Sequence, residues 1–195
     1  MKTHIKIQGT KTEQNIVKAY ISESAAYTRY TFYAAQATKE ELFPIAKIFA
    51  DTADNEFHHS KVFFKMLQGG TVGVTLEMDA GIIGDTAANL AIAAHEEMLE
   101  GVEQYRNAAI TAREEGFHKI AAHFDHIADI EERHRLRFER CLNLLLHNSL
   151  WKREEPINWQ CLVCGTIVTG IEPPALCPAC DHSLQHYMPL DIIDL

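Results

Sequence analysis

Two short runs carry the same pair of side chains, Glu56-Phe57-His58-His59 and Glu131-Glu132-Arg133-His134. A carboxylate and an imidazole three residues apart share one face of a helix, about one turn from each other. Both pairs interrupt stripes that otherwise read as core. One stripe is Ile45, Ile48, Thr52, Glu56, His59, Phe63, Met66; the other is Phe124, Ile127, Glu131, His134, Phe138, Cys141, Leu145. An ionised carboxylate is costly to bury unless a cation compensates it, and no Lys or Arg shares these stripes. Two more stripes repeat the interruption: Ile16, Tyr20, Glu23, Tyr27, Tyr30, Ala34, and Leu90, Ala93, Glu97, Glu100, Gln104. The compensating charge is therefore expected to be metal. Carboxylates from four segments plus two histidines give ligation for two ions, and mixed oxygen and nitrogen donors suit iron or manganese better than zinc. Glu23, Glu56, His59, Glu97, Glu100, Glu131 and His134 make seven candidates where six would suffice.

The spacing also repeats. Glu56 and Glu131 lie 75 positions apart, as do His59 and His134, while Glu23 precedes the first pair by 33 residues and Glu97 the second by 34. Duplicated architecture has this signature. Taken singly, Glu97 or Glu100 reads as well as a surface acid; chance does not readily repeat the whole set in both halves. His58, His95, His118 and His126 are assigned to the surface or to the surroundings of the site. Tyr27, Tyr30 and Tyr105 are read either as packing or as hydroxyls that donate a hydrogen bond or an electron beside the metals.

A second constellation is Cys161-Leu162-Val163-Cys164-Gly165 with Cys177-Pro178-Ala179-Cys180. Four thiolates so spaced make a tetrahedral sulfur site for zinc or a single iron, and the pattern does not choose between them. Trp159, Tyr187 and Met188 can build the small core around it. Cys141 stands apart on a core stripe and reads as a small buried hydrophobe.

These residues need elements to hold them. The last ~45 residues contain five of the six prolines and four of the five cysteines, which sets a boundary near residues 151–156. Residues 1–150 are expected to form one domain and 156–195 a small module too short to fold without a staple. After an extended lead-in over 1–10, Thr12 caps a helix from about Glu13 to Thr38. A second helix runs from about Lys39 to Leu67, with Pro44 early in it and Gly69-Gly70 stopping it. Residues 69–84 carry no helical period and read as a crossing connection. Asp85 or Thr86 caps a third helix to about Glu115; Gly116 ends it, and a fourth runs from about His118 to His147. The result is an all-α four-helix bundle with one long middle connection, the setting of ferritin-like dimetal carboxylate sites.

Net charge is −9 with a pI near 5.6, which argues against nucleic acid as a partner. No stretch approaches the ~20 apolar residues of a membrane span, and no apolar leader follows Met1-Lys2. The expectation is a soluble cytoplasmic protein whose cysteines are reduced thiols or metal ligands.

Across nearly the whole chain the sequence resembles the rubrerythrin family. The resemblance rests on Glu23-Ser24 leading to Arg29-Tyr30, Asn55-Glu56-x-x-His59, Gly84-Asp85-Thr86, Glu97-x-x-Glu100 leading to Tyr105, Glu131-x-x-His134 and Cys177-Pro178-x-Cys180-x-His182. It implies a ferritin-like bundle with two non-haem irons, followed by a rubredoxin-like module with one iron on Cys161, Cys164, Cys177 and Cys180, where zinc is a possible substitute. It implies a peroxidase that reduces hydrogen peroxide to water, with electrons from NAD(P)H through a separate reductase and often a small carrier. The seven residues above would ligate the di-iron centre, His59 and Glu100 exchanging at one iron between redox states, with Tyr30 and Tyr105 beside it. A head-to-tail homodimer or higher homo-oligomer is also implied. One departure is Ala94-His95-Glu96 before Glu97, where the family often has glycine. Two other readings compete: a ferroxidase or iron-handling protein of ferritin kind, and a zinc-stapled interaction protein. The electron-transfer module argues against the first, because ferroxidation with dioxygen needs no external reductant.

Overall fold

Apolar spacing becomes helix in the computed structural model, which describes residues 6–192 without the side chain of residue 100. Helix α1 (Lys11–Lys39) is capped by Thr10, whose hydroxyl accepts from the Glu13 N–H. The expected cap, Thr12, lies inside the helix. Its hydroxyl and backbone N–H both donate to Glu115 at the far end of the second helical pair. Ile7 is buried in the core, so this part of the lead-in is anchored. Helix α2 (Phe43–Met66) starts later than Lys39: residues 40–42 make a tight turn and Pro44 takes the first turn of the helix. Asp85 caps α3 (Thr86–Glu96), accepting from Ala88 N–H at 2.8 Å. The last helix, α5, spans His118–Leu146.

Residues 67–85 cross the bundle, held to α1 by Arg29 donating to the Asp79 carbonyl and by the Tyr33 hydroxyl donating to the Ile82 carbonyl. Because Glu40, at the end of α1, accepts from Thr86 N–H, α3 starts where α2 started and runs parallel to it. The long connection thus produces two antiparallel hairpins side by side.

The third helix is not one regular α-helix. A π-helical segment, Glu97–Gln104, separates α3 from α4 (Tyr105–Glu114). Its extra residue slips the buried face, which runs Leu90, Ala93, Glu97, Gly101, Tyr105, Ala108, Ala112. Gln104, expected on that face at constant period, is exposed. On α1 the inward line passes through Ala26 rather than Tyr27, which is 42% exposed and packs on Phe57. Apolar packing divides into two clusters. One holds Tyr30, Phe49, Leu90 and Phe138, the other Ile16, Phe63, Tyr105 and Phe124. The interrupted stripes meet in the layer between them.

The C-terminal module is an antiparallel sheet in the order β2-β1-β3, from Ile157–Cys161 (β1), Ile167–Gly170 (β2) and Tyr187–Pro189 (β3). Leu150, Met188 and Ile192 join the bundle's first cluster, and His186 stacks on Phe43 at 4.1 Å. The module therefore docks on the end of the bundle where α2 begins. Among the described residues no helix is long and apolar enough to cross a membrane.

Candidate metal centres

In the layer between the clusters, six of the sequence-selected side chains converge. Glu23, Glu56, His59 and Glu131 bring ligand atoms within 4.8 Å of one another, as do Glu56, Glu97, Glu131 and His134. Glu56 and Glu131 belong to both groups, and their oxygens are divided between them. Glu56 turns Oε2 to His59 Nδ1 at 2.9 Å and Oε1 to His134 Nδ1 at 3.0 Å. Glu131 turns Oε1 to His59 Nδ1 at 2.9 Å and Oε2 to His134 Nδ1 at 2.7 Å. Glu23 approaches only His59, at 3.6 Å, and Glu97 only His134, at 3.8 Å. Two carboxylates are placed to bridge and two to terminate.

Several of these close atoms are not hydrogen-bonded. Glu56 Oε1, both Glu131 oxygens and His134 Nδ1 are buried without a partner in bonding geometry. Orphaned polar atoms are rare in a folded interior. Here they approach one another at 2.7–3.0 Å while aiming at a common point. Bonds of roughly 2.1 Å set at right angles leave neighbouring ligand atoms about 3 Å apart, so this donor set fits two metal ions.

Two tyrosines complete the layer with crossed symmetry. Tyr30 on α1 donates to Glu97 Oε1 at 2.6 Å, and Tyr105 on α4 donates to Glu23 Oε1 at 2.7 Å. Both phenols are held well above their ordinary range, by burial and then by the carboxylates facing them, so they keep their protons and donate. Without cations the carboxylates diverge. Burial and the charges of Glu131 and Glu56 raise Glu23, and burial followed by Glu56 raises Glu97. Burial also pushes Glu56 up, but His134 and His59 outweigh it and bring Glu56 down to about 2. The Asn55 amide lies 3.2 Å from His134 Nε2, fixing the ring so that Nδ1 faces the site.

Sequence reading missed three contributors. Gly101, on the π segment, lies against Glu131: an added Cβ would stand 2.5 Å from the Glu131 Cβ and Cγ. A glycine inside a helix was the available signal. Glu96, at the departure noted before Glu97, is buried and paired with Arg29. The π segment itself is the third. Glu100 stands on that segment, and its side chain lies outside the described residues. Beside the ligands, Ser22, Ala26, Tyr30, Glu96, Gly101 and Tyr105 help enclose a cavity of about 20 Å³. That is room for one water-sized molecule.

In the C-terminal module the four cysteine sulfurs also lie within 4.8 Å of one another. Cys161 and Cys180 sulfurs are 3.7 Å apart, and Cys164 and Cys177 sulfurs 3.6 Å. A disulfide would need about 2.05 Å. Tetrahedral bonds of about 2.3 Å place sulfurs about 3.8 Å apart, so a metal fits and a disulfide does not. The two knuckles match in backbone as well. Gly165 N–H donates to the Cys161 carbonyl and Asp181 N–H to the Cys177 carbonyl, with Gly165 at φ 80° and Asp181 at φ 58°. Glycine and aspartate are among the residues that accept this left-handed conformation. Cys141 is buried in the bundle, its thiol pushed up to about 12 by burial, and belongs to neither site.

The family model for rubrerythrin matches residues 14–142, and that for the rubrerythrin rubredoxin-like domain matches residues 159–187. Rubrerythrin of Porphyromonas gingivalis is 44% identical over 184 residues, covering 94% of this chain and 92% of that protein. Rubrerythrin of Nitratidesulfovibrio vulgaris is 41% identical, covering 95% and 97%. A solved structure of fully reduced nigerythrin superposes with a TM-score of 0.61 at 24% identity, covering 97% of this chain and 91% of that one, a likeness of fold.

Proposed function

We propose that this chain, which belongs to the rubrerythrin family, is a di-iron peroxidase that reduces hydrogen peroxide to water with electrons relayed through its four-cysteine centre. The observation that carries this reading is the presence in one chain of a carboxylate-bridged cage for two ions and a sulfur cage for a third. Glu23, His59, Glu56 and Glu131 would hold one iron, and Glu97, His134 and the same two bridging carboxylates the other. Held there as ferrous ions, the pair would supply the two electrons that, with two protons, turn one hydrogen peroxide into two waters. Glu56 and Glu131 set the spacing of the ions. Tyr30 and Tyr105 orient the terminal carboxylates and hold protons at Oη, within the same cavity.

Glu100, three residues beyond Glu97, is assigned as the carboxylate that exchanges with His59 between redox states. Glu100→Ala should then retain iron and slow turnover; loss of iron would show that it is an ordinary ligand. Electrons are expected from NAD(P)H through a separate reductase or a small carrier. Within one chain the module docks at Phe43, 13 residues and about 20 Å of helix from Glu56. That separation favours a homodimer in which one copy's module serves the other's bundle. Four reduced thiols suit a cytoplasmic setting.

The test is anaerobic loading with ferrous iron, metal analysis, and rapid mixing with one equivalent of oxidant. Three irons per chain and oxidation by peroxide far faster than by dioxygen are expected. The opposite order would make the protein a ferroxidase, and zinc on the cysteines with no iron in the bundle would remove the redox function.

A further inference from the structure

The module's small core contains one polar group that no oxygen or nitrogen satisfies. Tyr187 lies on β3, paired across the sheet with Cys161 of β1. Its side chain is fully buried, at 0% exposure, among Trp159, Cys161 and Cys177. Its hydroxyl has no hydrogen-bond partner in the metal-free geometry. Other donors nearby are already committed: Trp159 N–H donates to the Gly170 carbonyl at 2.8 Å and Trp151 N–H to the Tyr187 carbonyl at 3.0 Å. A buried hydroxyl left unpaired carries its full desolvation cost, and the cysteine sulfurs of the same core are the acceptors that remain for it.

We propose that Tyr187 is a positioning residue of the four-cysteine centre, donating its hydroxyl proton in a hydrogen bond to Cys177 Sγ when the thiolates hold iron, and thereby raising the centre's reduction potential. The inference rests on the reading that these cysteines hold iron. Cys177 is the sulfur chosen because it is buried with Tyr187 in the module's small core and lies within the hydroxyl's reach. Cys177 is itself at 0% exposure, whereas Cys164 is exposed. A bond formed in that dry interior is stronger than one formed in water. Reduction adds one negative charge to the iron–thiolate unit, and a donor to sulfur stabilises the more negative state. Hydrogen bonds to the ligating sulfurs are among the controls of potential at iron–sulfur sites.

The test uses the full-length, iron-loaded protein and a spectroelectrochemical titration of its cysteine-to-iron charge-transfer band. Tyr187→Phe keeps the ring and removes the donor. Its reduction equilibrium should weaken by about twofold to tenfold, tenfold being about 59 mV for a one-electron couple. Iron–sulfur stretching frequencies in the resonance Raman spectrum should rise together with that shift. Should the variant fail to fold its module, 3-fluorotyrosine incorporation decides the matter, because Tyr187 is the only tyrosine after Tyr105. Fluorination makes the phenol a stronger donor and should move the potential upward. An unchanged potential in iron-loaded Tyr187→Phe, or in the fluorinated protein where that variant does not fold, overturns the inference alone. A wild-type centre with no redox couple overturns the iron reading and this inference with it.

Discussion

In the bundle, six converging side chains occupy a layer between two apolar clusters, whereas in the C-terminal module two of the four core residues, Cys161 and Cys177, belong to the metal cage itself. The bundle can form its cage by packing alone: Phe49 on Phe138 at 5.1 Å and Phe63 on Phe124 at 5.0 Å hold the helices whether or not ions are present. The module has a three-stranded sheet and a core of four residues, too little apolar surface for a stable fold of that size. Ion binding should therefore be a local event in the first region and a folding event in the second.

Stripping metal with a strong chelator should make the largest difference between the two. Structural zinc in small modules carries about 10–16 kcal/mol of apparent binding energy. Hydrogen exchange over residues 157–192 should therefore become fast, while far-UV circular dichroism reports the helices intact. Amides of β1 that stay protected without metal would break the contrast.

Within the bundle, bridging and terminal carboxylates should separate next. Glu131→Ala removes a ligand common to both groups and should lower occupancy at both positions; Glu23→Ala should lower it at one. Metal analysis reads the difference, and equal losses would mean that the two positions fill only together.

A pH series tests whether the empty cage is electrostatically strained. Glu23 and Glu97 titrate above the usual carboxylate range in the metal-free fold, chiefly through burial. His59 and His134 also titrate above their ordinary value, the facing carboxylates overcoming burial. Groups raised in the folded state contribute stability below their unfolded values, about 4.5 and 6.5, and lose it as pH climbs through the folded ones. Glu56 works the other way, but only between about 4.5 and 2. The helical melting temperature of metal-free protein should fall from pH 5 to 9. Loaded protein should not follow, because its ligands must be deprotonated. Parallel curves would show that the empty cage carries no such strain.

The smallest effect belongs to Gly101→Ala. A methyl placed 2.5 Å from Glu131 forces either the side chain or the π segment to move, at about 1–3 kcal/mol. Thermal unfolding measures that cost, and an unchanged midpoint would mean that the segment yields freely.

Much of both cages was legible because ligand spacing is short-range. The i, i+3 pairs and the two cysteine knuckles are set within one turn of chain, so counting residues was enough to bring Glu56 to His59 and Cys161 to Cys164. Alignment between helices was less legible. Constant periodicity put Gln104 inside and left Tyr105 without a partner, because a π turn changes phase without leaving an apolar signature. Tyr27 went astray for a related reason: an i+3 step to Ala26 and an i+4 step to Tyr27 fit a stripe equally well, and only packing against α2 decides. Arg29 and Glu96 lie on different helices, and no spacing rule joins them.

The π segment has one further consequence. Glu56 and Glu131 each lie 13 residues beyond the first residue of their helix, but Glu23 lies 16 residues before the end of α1 and Glu97 lies 17 before the end of α4. An inserted residue in an ordinary helix would rotate everything after it by about 100° and scramble the core. Here the phase error is spent inside the ligand layer, and Tyr105 still meets Glu23. The two halves of the bundle therefore follow one ligand plan without being copies: the half carrying the slip is the one that also carries Glu100.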